Sequence, residues 1–265
     1  MTSRLPPIFY HLFKQPLPYA RTLQLQEQLH SIQLARRRAS SDYPDLLLLL
    51  EHRPVYTAGR RQLSTDPQVT EDERRLTQIG ADFVTTKRGG QYTYHGPGQI
   101  IGYPLLDLGR TSPPMGIRDY ICKMQTTLKR FLLEKHGIRG SANDNTGVFL
   151  DEYTKIASIG VQVRHRLTTH GFSLNVTREP ARWFEQIVAC GLADVKPGCI
   201  VEAGQCETSV SECYPGLVEH FGQVFERETV PLDLNADPMV GQLIQEVEAE
   251  AVRMGNWPRA PLTGL

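Results

Sequence analysis

The stretch KRGGQYTYHGPGQIIGYPLLDL, residues 87–108, restricts the possible fold of this chain more than any other segment. A Gly-Gly pair and a Gly-Pro-Gly turn lie on either side of Gln91, Tyr92, Thr93, Tyr94 and His95, and an apolar segment follows. Glycine weakens a strand and is favoured where the chain turns sharply or where backbone must approach another group closely. The stretch therefore predicts a turn with exposed backbone, followed by a strand in the core.

Periodic patterns elsewhere indicate a mixture of strands and helices. Apolar runs and alternation predict strands over 8–13, 45–50, just after Pro54, 81–90, 98–108, 146–150, 155–163 and 171–176, with a hairpin turn over 165–170. Helical spacing and end signals predict helices over 19–38, within 64–80, over 120–136, 180–188 and 210–227, and within 236–265. Ser209 and Glu212 fit a capping box, and Gly137 fits a helix C-terminus.

These elements follow no strict strand–helix–strand order, which favours the α+β class. The chain of 265 residues is long enough for one large domain. We expect a single domain in which helices flank a mixed β-sheet.

Charge and composition exclude several classes of function. The chain carries 29 Lys and Arg and 29 Asp and Glu, so it lacks the basic excess of a general nucleic-acid or membrane-surface binder. No apolar run is long enough to span a membrane. Three arginine-containing clusters, 36–38, 60–61 and 164–166, are most simply explained as solvated faces.

The five cysteines and the N-terminus bear on the compartment. An odd number of cysteines in a chain of this length favours a reducing environment, and their spacing does not match a zinc site. The first 26 residues contain no acidic residue, which faintly suggests a transit peptide. However, the segment FYHLF already fits a strand, so we expect no clear cleavable targeting segment.

Cys190 and Lys155 are candidates for chemistry, although each has a plain structural explanation. Cys190 lies in a predicted turn before Gly191, and a single cysteine is more often a small buried hydrophobe than a nucleophile. A nucleophilic thiol needs a neighbour that lowers its pKa, and Lys155, at the start of a predicted strand, could supply that charge. Sequence spacing alone does not bring the two together.

Two histidines, His95 and His170, each precede a glycine and could be either core or site residues. A glycine-rich turn can present backbone N–H groups to a carbonyl or a developing oxyanion. The chain contains neither a phosphate-binding GxxxxGK[ST] loop nor a GxSxG elbow.

Taken in order, RGGQYTYHGPGQIIGYPLLDL, KIASIG, HGFSLNV and ACG resemble the lipoyl(octanoyl) transferases, the octanoyltransferases of lipoate biosynthesis. The resemblance covers residues 8–225 and implies the fold of the biotin and lipoate protein ligase catalytic domains. It implies a catalytic domain over 1–230 and a C-terminal extension over 231–265, which we expect to be helical and packed on the domain.

The resemblance also implies site residues, position by position. Cys190 would be the nucleophile and Lys155 the residue that activates it. The family has proline before the cysteine, where this chain has Ala189, which puts the rigidity of that turn in question. The binding residues would be Arg88, Gly89, Gly90, Gln91, Tyr92, Thr93, Tyr94, His95, Ser158, Ile159, Gly160, Gly171, Phe172 and Ser173. No cofactor and no metal are implied.

The implied activity is transfer of octanoyl from octanoyl-acyl carrier protein, through a cysteine thioester, to a lysine of lipoyl domains. The acceptors would be the lipoyl domains of 2-oxoacid dehydrogenases and the glycine cleavage H protein, and we expect a monomer with no nucleic-acid or membrane partner. One of the arginine clusters is expected to steer the acidic carrier protein to the enzyme. The compartment would be the cytoplasm in a bacterium and the mitochondrion in a eukaryote.

Three alternatives make different predictions. An ATP-dependent lipoate or biotin ligase would bind nucleotide and would not depend on Cys190. A papain-like hydrolase would use His170 or His95 as its base and would tolerate loss of Lys155. A non-catalytic module would bind the carrier protein equally well after Cys190→Ser.

Overall fold

The apolar run DLLLLL forms a buried interior strand, and each of its five leucines is at most 1% exposed. A continuous apolar run of this kind fits a strand that is covered on both faces. The computed structural model describes residues 5–62, 66–189 and 194–263. The strands in these ranges are β1 (Ile8–Leu12), β2 (Asp45–Leu50), β3 (Val55–Ala58), β4 (Asp82–Thr85), β5 (Thr93–His95), β6 (Gln99–Leu105), β7 (Val148–Phe149), β8 (Thr154–Arg164), β9 (Leu167–Asn175), β10 (Lys196–Pro197) and β11 (Thr229–Pro231).

Helices cover the strands from both sides. In the same ranges they are α1 (Tyr19–Arg38), α2 (Pro67–Gln78), α3 (Ile117–His136), α4 (Glu179–Phe184), α5 (Ile200–Ala203), α6 (Val210–Phe225) and α7 (Pro238–Arg253). Apolar side chains of α3 and α6 form one core against the large sheet. Those of α1 and α7 form a second core, with the leucines of β2 that point the other way.

The large sheet has the strand order β10-β8-β9-β6-β2-β1-β11, and β7 also pairs with β8. The pairs β10–β8, β1–β2 and β1–β11 are parallel, while β2–β6, β6–β9 and β8–β9 are antiparallel. The predicted mixed sheet flanked by helices is therefore confirmed. The sequence did not indicate that β4, β3 and β5 form a separate three-stranded sheet.

Several predicted boundaries hold and others shift. The strand predicted over 81–90 ends at Thr85, and α3 begins at Ile117 rather than at 120. The Ser209 hydroxyl accepts from the amide of Glu212, whose carboxylate accepts from the amide of Ser209, so the capping box is present. Gly137 ends α3 with φ of 67°. Helices α4 and α6 end a few residues earlier than predicted.

The predicted six-residue hairpin turn is in fact a two-residue turn. Only His165 and Arg166 turn, each with positive φ, so Leu167–His170 belongs to β9. Two-residue turns with positive φ match the twist of the strands that they join.

Candidate active site

The glycine turn that follows Lys87 is held in place by Arg88. Its guanidinium donates to the carbonyl oxygens of Thr57 (2.7 Å), Gly89 (3.1 Å) and Gln91 (2.8 Å). Arg88 is 6% exposed, and hydrogen bonds from a buried charged donor are stronger than neutral ones. Arg88 therefore fixes the shape of the turn against β3.

The turn lies close against β8. The amide of Gly89 donates to the carbonyl of Val161 at 3.2 Å, and a Cβ on Gly160 would lie only 3.1 Å from the Gly89 oxygen. Gly90 has φ of +93°, which L side chains rarely adopt. The glycines of this stretch thus allow its backbone to lie close to β8.

A groove opens beside this turn, with an empty volume of about 450 Å³ including its mouth. Eleven of the predicted binding residues line it: Arg88, Gly89, Gly90, Thr93, His95, Ser158, Ile159, Gly160, Gly171, Phe172 and Ser173. The structure thus brings three separate sequence motifs to one surface.

Three of the predicted binding residues do not line the groove. Tyr94 stacks on Trp183 with ring centroids 5.4 Å apart, in the core behind the small sheet. Tyr92 packs against Phe83, and Gln91 offers its carbonyl to Arg88. Tyr92 and Tyr94 face away from the groove because alternate residues of an extended chain point to opposite sides, and they support its wall from behind.

The inner part of the groove contains two histidines whose surroundings favour the neutral form. Burial, helped by the charge of Arg88, lowers the pKa of His170 to about 3. Burial, with His52 and Arg88 nearby, holds the pKa of His95 well below its usual value. Tyr19, which also lines the groove, stacks on His95 with the two rings inclined by 5°. The groove therefore presents neutral rings to whatever it binds at neutral pH.

A second cavity, with an empty volume of about 800 Å³, adjoins the groove and shares Ser158 with it. Its lining includes Lys155, Asn175 and Ala189. Ala189 is the residue directly before Cys190 in the sequence. Cys190 itself lies outside the described residues.

Lys155 is half-buried in the wall of this cavity. Its Nζ lies 5.2 Å from the centre of the Phe149 ring. A Cβ on Gly147 would lie 2.6 Å from Cε of Lys155, so the lysine chain runs directly over that glycine. The carbonyl of Lys155 accepts from the amide of Gly198 at 2.9 Å. Phe149, Gly147 and β10 together hold this lysine at the cavity.

Sequence reasoning missed several lining residues. Tyr103 lies in the apolar run of β6, which suggested ordinary core, and Tyr19 begins α1; both line the groove. Asn175 lines the second cavity, and the alternation of Phe172, Leu174 and Val176 did place Ser173 and Asn175 together on the other face of β9. That alternation was the one available signal for Asn175.

Within 5–62, 66–189 and 194–263, no group of three or more His, Cys, Asp or Glu side chains is arranged to hold a metal ion. None of the helices formed by these residues is both long enough and apolar enough to cross a membrane.

The fold is that of the lipoate-protein ligases. The crystal structure of lipoate-protein ligase A bound with ATP superimposes with a TM-score of 0.64 and 14% sequence identity, over 97% of this chain and 100% of that chain. At this identity the similarity concerns the fold.

Sequence comparison is more specific. Residues 18–222 match the family model of the lipoyl protein ligase A/B catalytic domain. The mitochondrial octanoyl-[acyl-carrier-protein]:protein N-octanoyltransferase of Danio rerio is 36% identical over 209 residues, which are 79% of this chain and 88% of that protein. The octanoyltransferase of Thermobifida fusca is 37% identical over 196 residues, which are 71% of this chain and 76% of that protein. The chain belongs to the lipoyl protein ligase A/B catalytic domain family and, within it, is similar to octanoyltransferases.

Proposed function

We propose that this chain is an octanoyltransferase that moves an octanoyl group from acyl carrier protein to a lysine of a lipoyl domain. The observation that best supports this is the position of Lys155 and Ala189, the residue before Cys190, on one cavity that joins the groove beside the glycine turn. In this proposal the groove holds the acyl chain and the second cavity holds the thioester. The names of the relatives support octanoyl as the group transferred.

In the first step the Cys190 thiolate attacks the carbonyl carbon of the octanoyl thioester. A new carbon–sulfur bond forms, the bond to the carrier sulfur breaks, and the released carrier thiolate takes up a proton from the Lys155 ammonium, which becomes neutral. Lys155 favours the thiolate because its ammonium is an opposite charge at the same cavity.

In the second step the amine of the acceptor lysine attacks the octanoyl-enzyme. An amide bond forms, the Cys190 thiolate leaves, and the amine loses a proton, which Lys155 in its neutral form could accept. Exchange between thioesters is nearly isoenergetic and amide formation from a thioester is downhill. No nucleotide is therefore needed to drive the transfer.

The partners in this proposal are octanoyl-acyl carrier protein as the donor and, as acceptors, the lipoyl domains of 2-oxoacid dehydrogenases and the glycine cleavage H protein. We propose that the enzyme acts as a monomer. The relatives include mitochondrial proteins of eukaryotes and bacterial octanoyltransferases. The compartment therefore follows the source of the chain, mitochondrion or bacterial cytoplasm.

The hydrolase alternative is less well supported by the geometry. A general base works best when its pKa is near the operating pH, and the pKa values of His95 and His170 are both lowered far below it. Both histidines line the groove, whereas Lys155 and Ala189 line the second cavity. An ATP-dependent ligase would have the same fold, and its requirement for ATP would distinguish it from a transferase.

The test is intact-mass measurement after the purified protein is mixed with octanoyl-acyl carrier protein. Wild type should gain one octanoyl group, mapped to Cys190, and should then pass it to an isolated lipoyl domain without ATP. Lys155→Ala should acylate roughly 10²–10⁴-fold more slowly, the usual contribution of a positioned acid–base group.

Cys190→Ser is the control for the site of labelling and should give no thioester. Cys206→Ser, at a half-buried free cysteine, is the matched control and should acylate like wild type. Lipoylation that requires ATP would establish a ligase instead. Carrier binding without either reaction would establish a binding module.

A further inference from the structure

Two buried amide side chains, those of Gln99 and Asn175, connect the turn at Gly96 to Gly198, whose amide bonds to the Lys155 carbonyl. The amide of Gly96 donates to Oε1 of Gln99 at 3.2 Å, and Nε2 of Gln99 donates to Oδ1 of Asn175 at 2.8 Å. Nδ2 of Asn175 then donates to the carbonyl of Gly198 at 2.8 Å. Both side chains are buried, so this chain of bonds is shielded from solvent.

The two ends of the chain fix which atom of each amide is nitrogen. The Gly96 N–H can only donate and the Gly198 carbonyl can only accept, so one orientation of Gln99 and Asn175 satisfies every link. Asn175 therefore has its nitrogen on the side of Gly198. That nitrogen carries two hydrogens, and the bond to Gly198 uses one of them.

Asn175 also lies at the cavity where the chemistry is proposed. Asn175 lines that cavity together with Lys155 and Ala189. Its neighbour Leu174 pairs with Ala157, two residues after Lys155, and the amide of Gly198 donates to the Lys155 carbonyl. Gly198 is thus bonded both to the Asn175 side chain and to the backbone of the proposed activating lysine.

We propose that the second N–H of Asn175 donates to the thioester carbonyl oxygen and stabilises the oxyanion of acyl transfer, with Gln99 as the residue that positions it. This rests on the proposed octanoyltransferase function. When the thiolate adds to the carbonyl carbon, the carbonyl electron pair moves to oxygen. It returns when the carrier thiolate leaves. A donor whose orientation is fixed beforehand stabilises that charge without reorganisation.

The test compares single-turnover acylation by wild type, Asn175→Ala and Gln99→Ala, with octanoyl-acyl carrier protein as the donor. Asn175→Ala should acylate about 10²–10³-fold more slowly, the usual effect of losing one oxyanion donor, at unchanged half-saturating donor concentration. Gln99→Ala breaks the same network but keeps the Asn175 nitrogen. Gln99→Ala should lower the melting temperature by about as much as Asn175→Ala does. It should slow acylation by less than about tenfold.

Asn175→Asp is the second variant, because aspartate keeps the size and the acceptor for Gln99 but removes the N–H. It should be at least as slow as Asn175→Ala. A thiolate captures the trifluoromethyl ketone of the octanoyl chain as an oxyanion adduct. The affinity of Asn175→Ala and Asn175→Asp for this ketone should fall by the same factor as their acylation rates. Octanoic acid should bind as before.

Each outcome has one meaning. Equal rate losses in Asn175→Ala and Gln99→Ala, or a loss below threefold in Asn175→Ala, would reduce Asn175 to a structural role and overturn this inference alone. If wild type formed no octanoyl-enzyme, the proposed function would fail, and the oxyanion role would fail with it.

Discussion

His170 has a backbone conformation that few large side chains adopt. Its φ is +59° inside strand β9, where it pairs with Val161, and its amide donates to Oε1 of Gln26 at 2.7 Å. Outside glycine, positive φ is tolerated best by Asn, Asp and His. Position 170 therefore requires a residue that tolerates positive φ, and its neutral ring lines the groove.

The buried histidines make stability depend on pH with a definite sign. An unfolded histidine has a pKa near 6.5, whereas burial lowers the pKa of His170 to about 3 and that of His52 to about 4. Between those values the unfolded chain binds more protons, so the free energy of unfolding falls as the pH falls below about 6.5. Each such histidine contributes a slope of about 1.4 kcal/mol per pH unit.

We expect His170→Asn to reduce the dependence of the free energy of unfolding on pH by about 1.4 kcal/mol per pH unit, the contribution of one buried histidine. Asparagine tolerates the same φ and does not titrate. Urea unfolding at pH 7 and pH 5 measures it. His165→Asn is the control, because His165 also has positive φ but lies in the exposed hairpin turn. An unchanged slope in His170→Asn would mean that its ring is protonated in the folded protein.

At the scale of elements, the segment before β7 sets where Lys155 lies. Gly147 has φ of +128°, and a Cβ there would lie 2.5 Å from the Ala157 carbonyl and 2.6 Å from Cε of Lys155. Gly147→Ala should therefore cost about 1–3 kcal/mol of backbone strain and should displace the lysine. We expect it to lower the acylation rate more than its loss of stability explains.

Gly140→Ala is the matched control in the same connection, because the nearest atoms would be 3.4 Å from its Cβ and its φ is ordinary. Acylation rates and denaturant midpoints of the two variants are compared. If both variants acylate at the wild-type rate, the position of Lys155 does not depend on Gly147.

Two of the three clusters that could attract an acidic carrier protein contain arginines held in ion pairs, although Arg38 and Arg166 in those clusters are exposed. Arg36 pairs with Asp237, Arg37 with Asp107 and Arg164 with Glu27, at 3.4 Å or less. Arg60 and Arg61 are exposed, and neither forms an ion pair within 5–62, 66–189 and 194–263. Their amides donate to the carbonyls of Arg88 and Gly90, so this cluster borders the glycine turn.

We expect Arg60→Glu/Arg61→Glu to reduce kcat/KM for the carrier-protein donor by on the order of tenfold at low salt, with the difference shrinking as salt rises. The uncharged donor octanoyl-pantetheine should react at the wild-type rate. Arg118→Glu/Arg253→Glu changes the same charge at exposed positions and serves as the control. An equal loss with both donors would point to damage in the glycine turn rather than to docking.

Element by element, the sequence is most informative where local pattern and burial agree. The leucines of β2, the capping box at Ser209 and the glycine turn after Arg88 each follow from a local rule. The separate sheet formed by β3, β4 and β5, and the positive φ of His170, depend on contacts between distant segments. No local pattern contains that information, so the depth of the groove and its inner residues, such as Tyr103, became visible only in the folded chain.

For the whole molecule, the segment after β11 connects the two sheets. Helix α7 places Val240, Ile244 and Val247 in the core shared with α1 and β2, and its N-cap Asp237 pairs with Arg36. Beyond the helix the chain crosses to the small sheet, where the amide of Leu262 donates to the carbonyl of Ile79 at 3.0 Å.

Arg53, which lies between β2 and β3, contacts the middle of this C-terminal segment. Its guanidinium donates to the carbonyls of Met254 and Asn256 and lies 5.7 Å from the Trp257 ring. Pro258 and Leu262 then cover Gly80, between α2 and β4. These contacts attach the small sheet, which supports the glycine turn, to the large one.

Removal of residues 254–265 should therefore loosen the small sheet and leave the main core intact. Solvent-exposed contacts of this kind contribute about 0.5–1 kcal/mol each, so we expect only a small fall in the melting temperature. Amide hydrogen exchange should accelerate in β3 to β5 and remain unchanged in β2 and β6, because local opening involves the least-supported unit first. The half-saturating concentration of the octanoyl donor should rise as the groove wall becomes mobile, and the acylation rate at saturation should change little.

Trp257→Ala, which removes one contact, should give a smaller change in the same direction. Uniform acceleration of exchange in both sheets would instead mean that the segment stabilises the whole core.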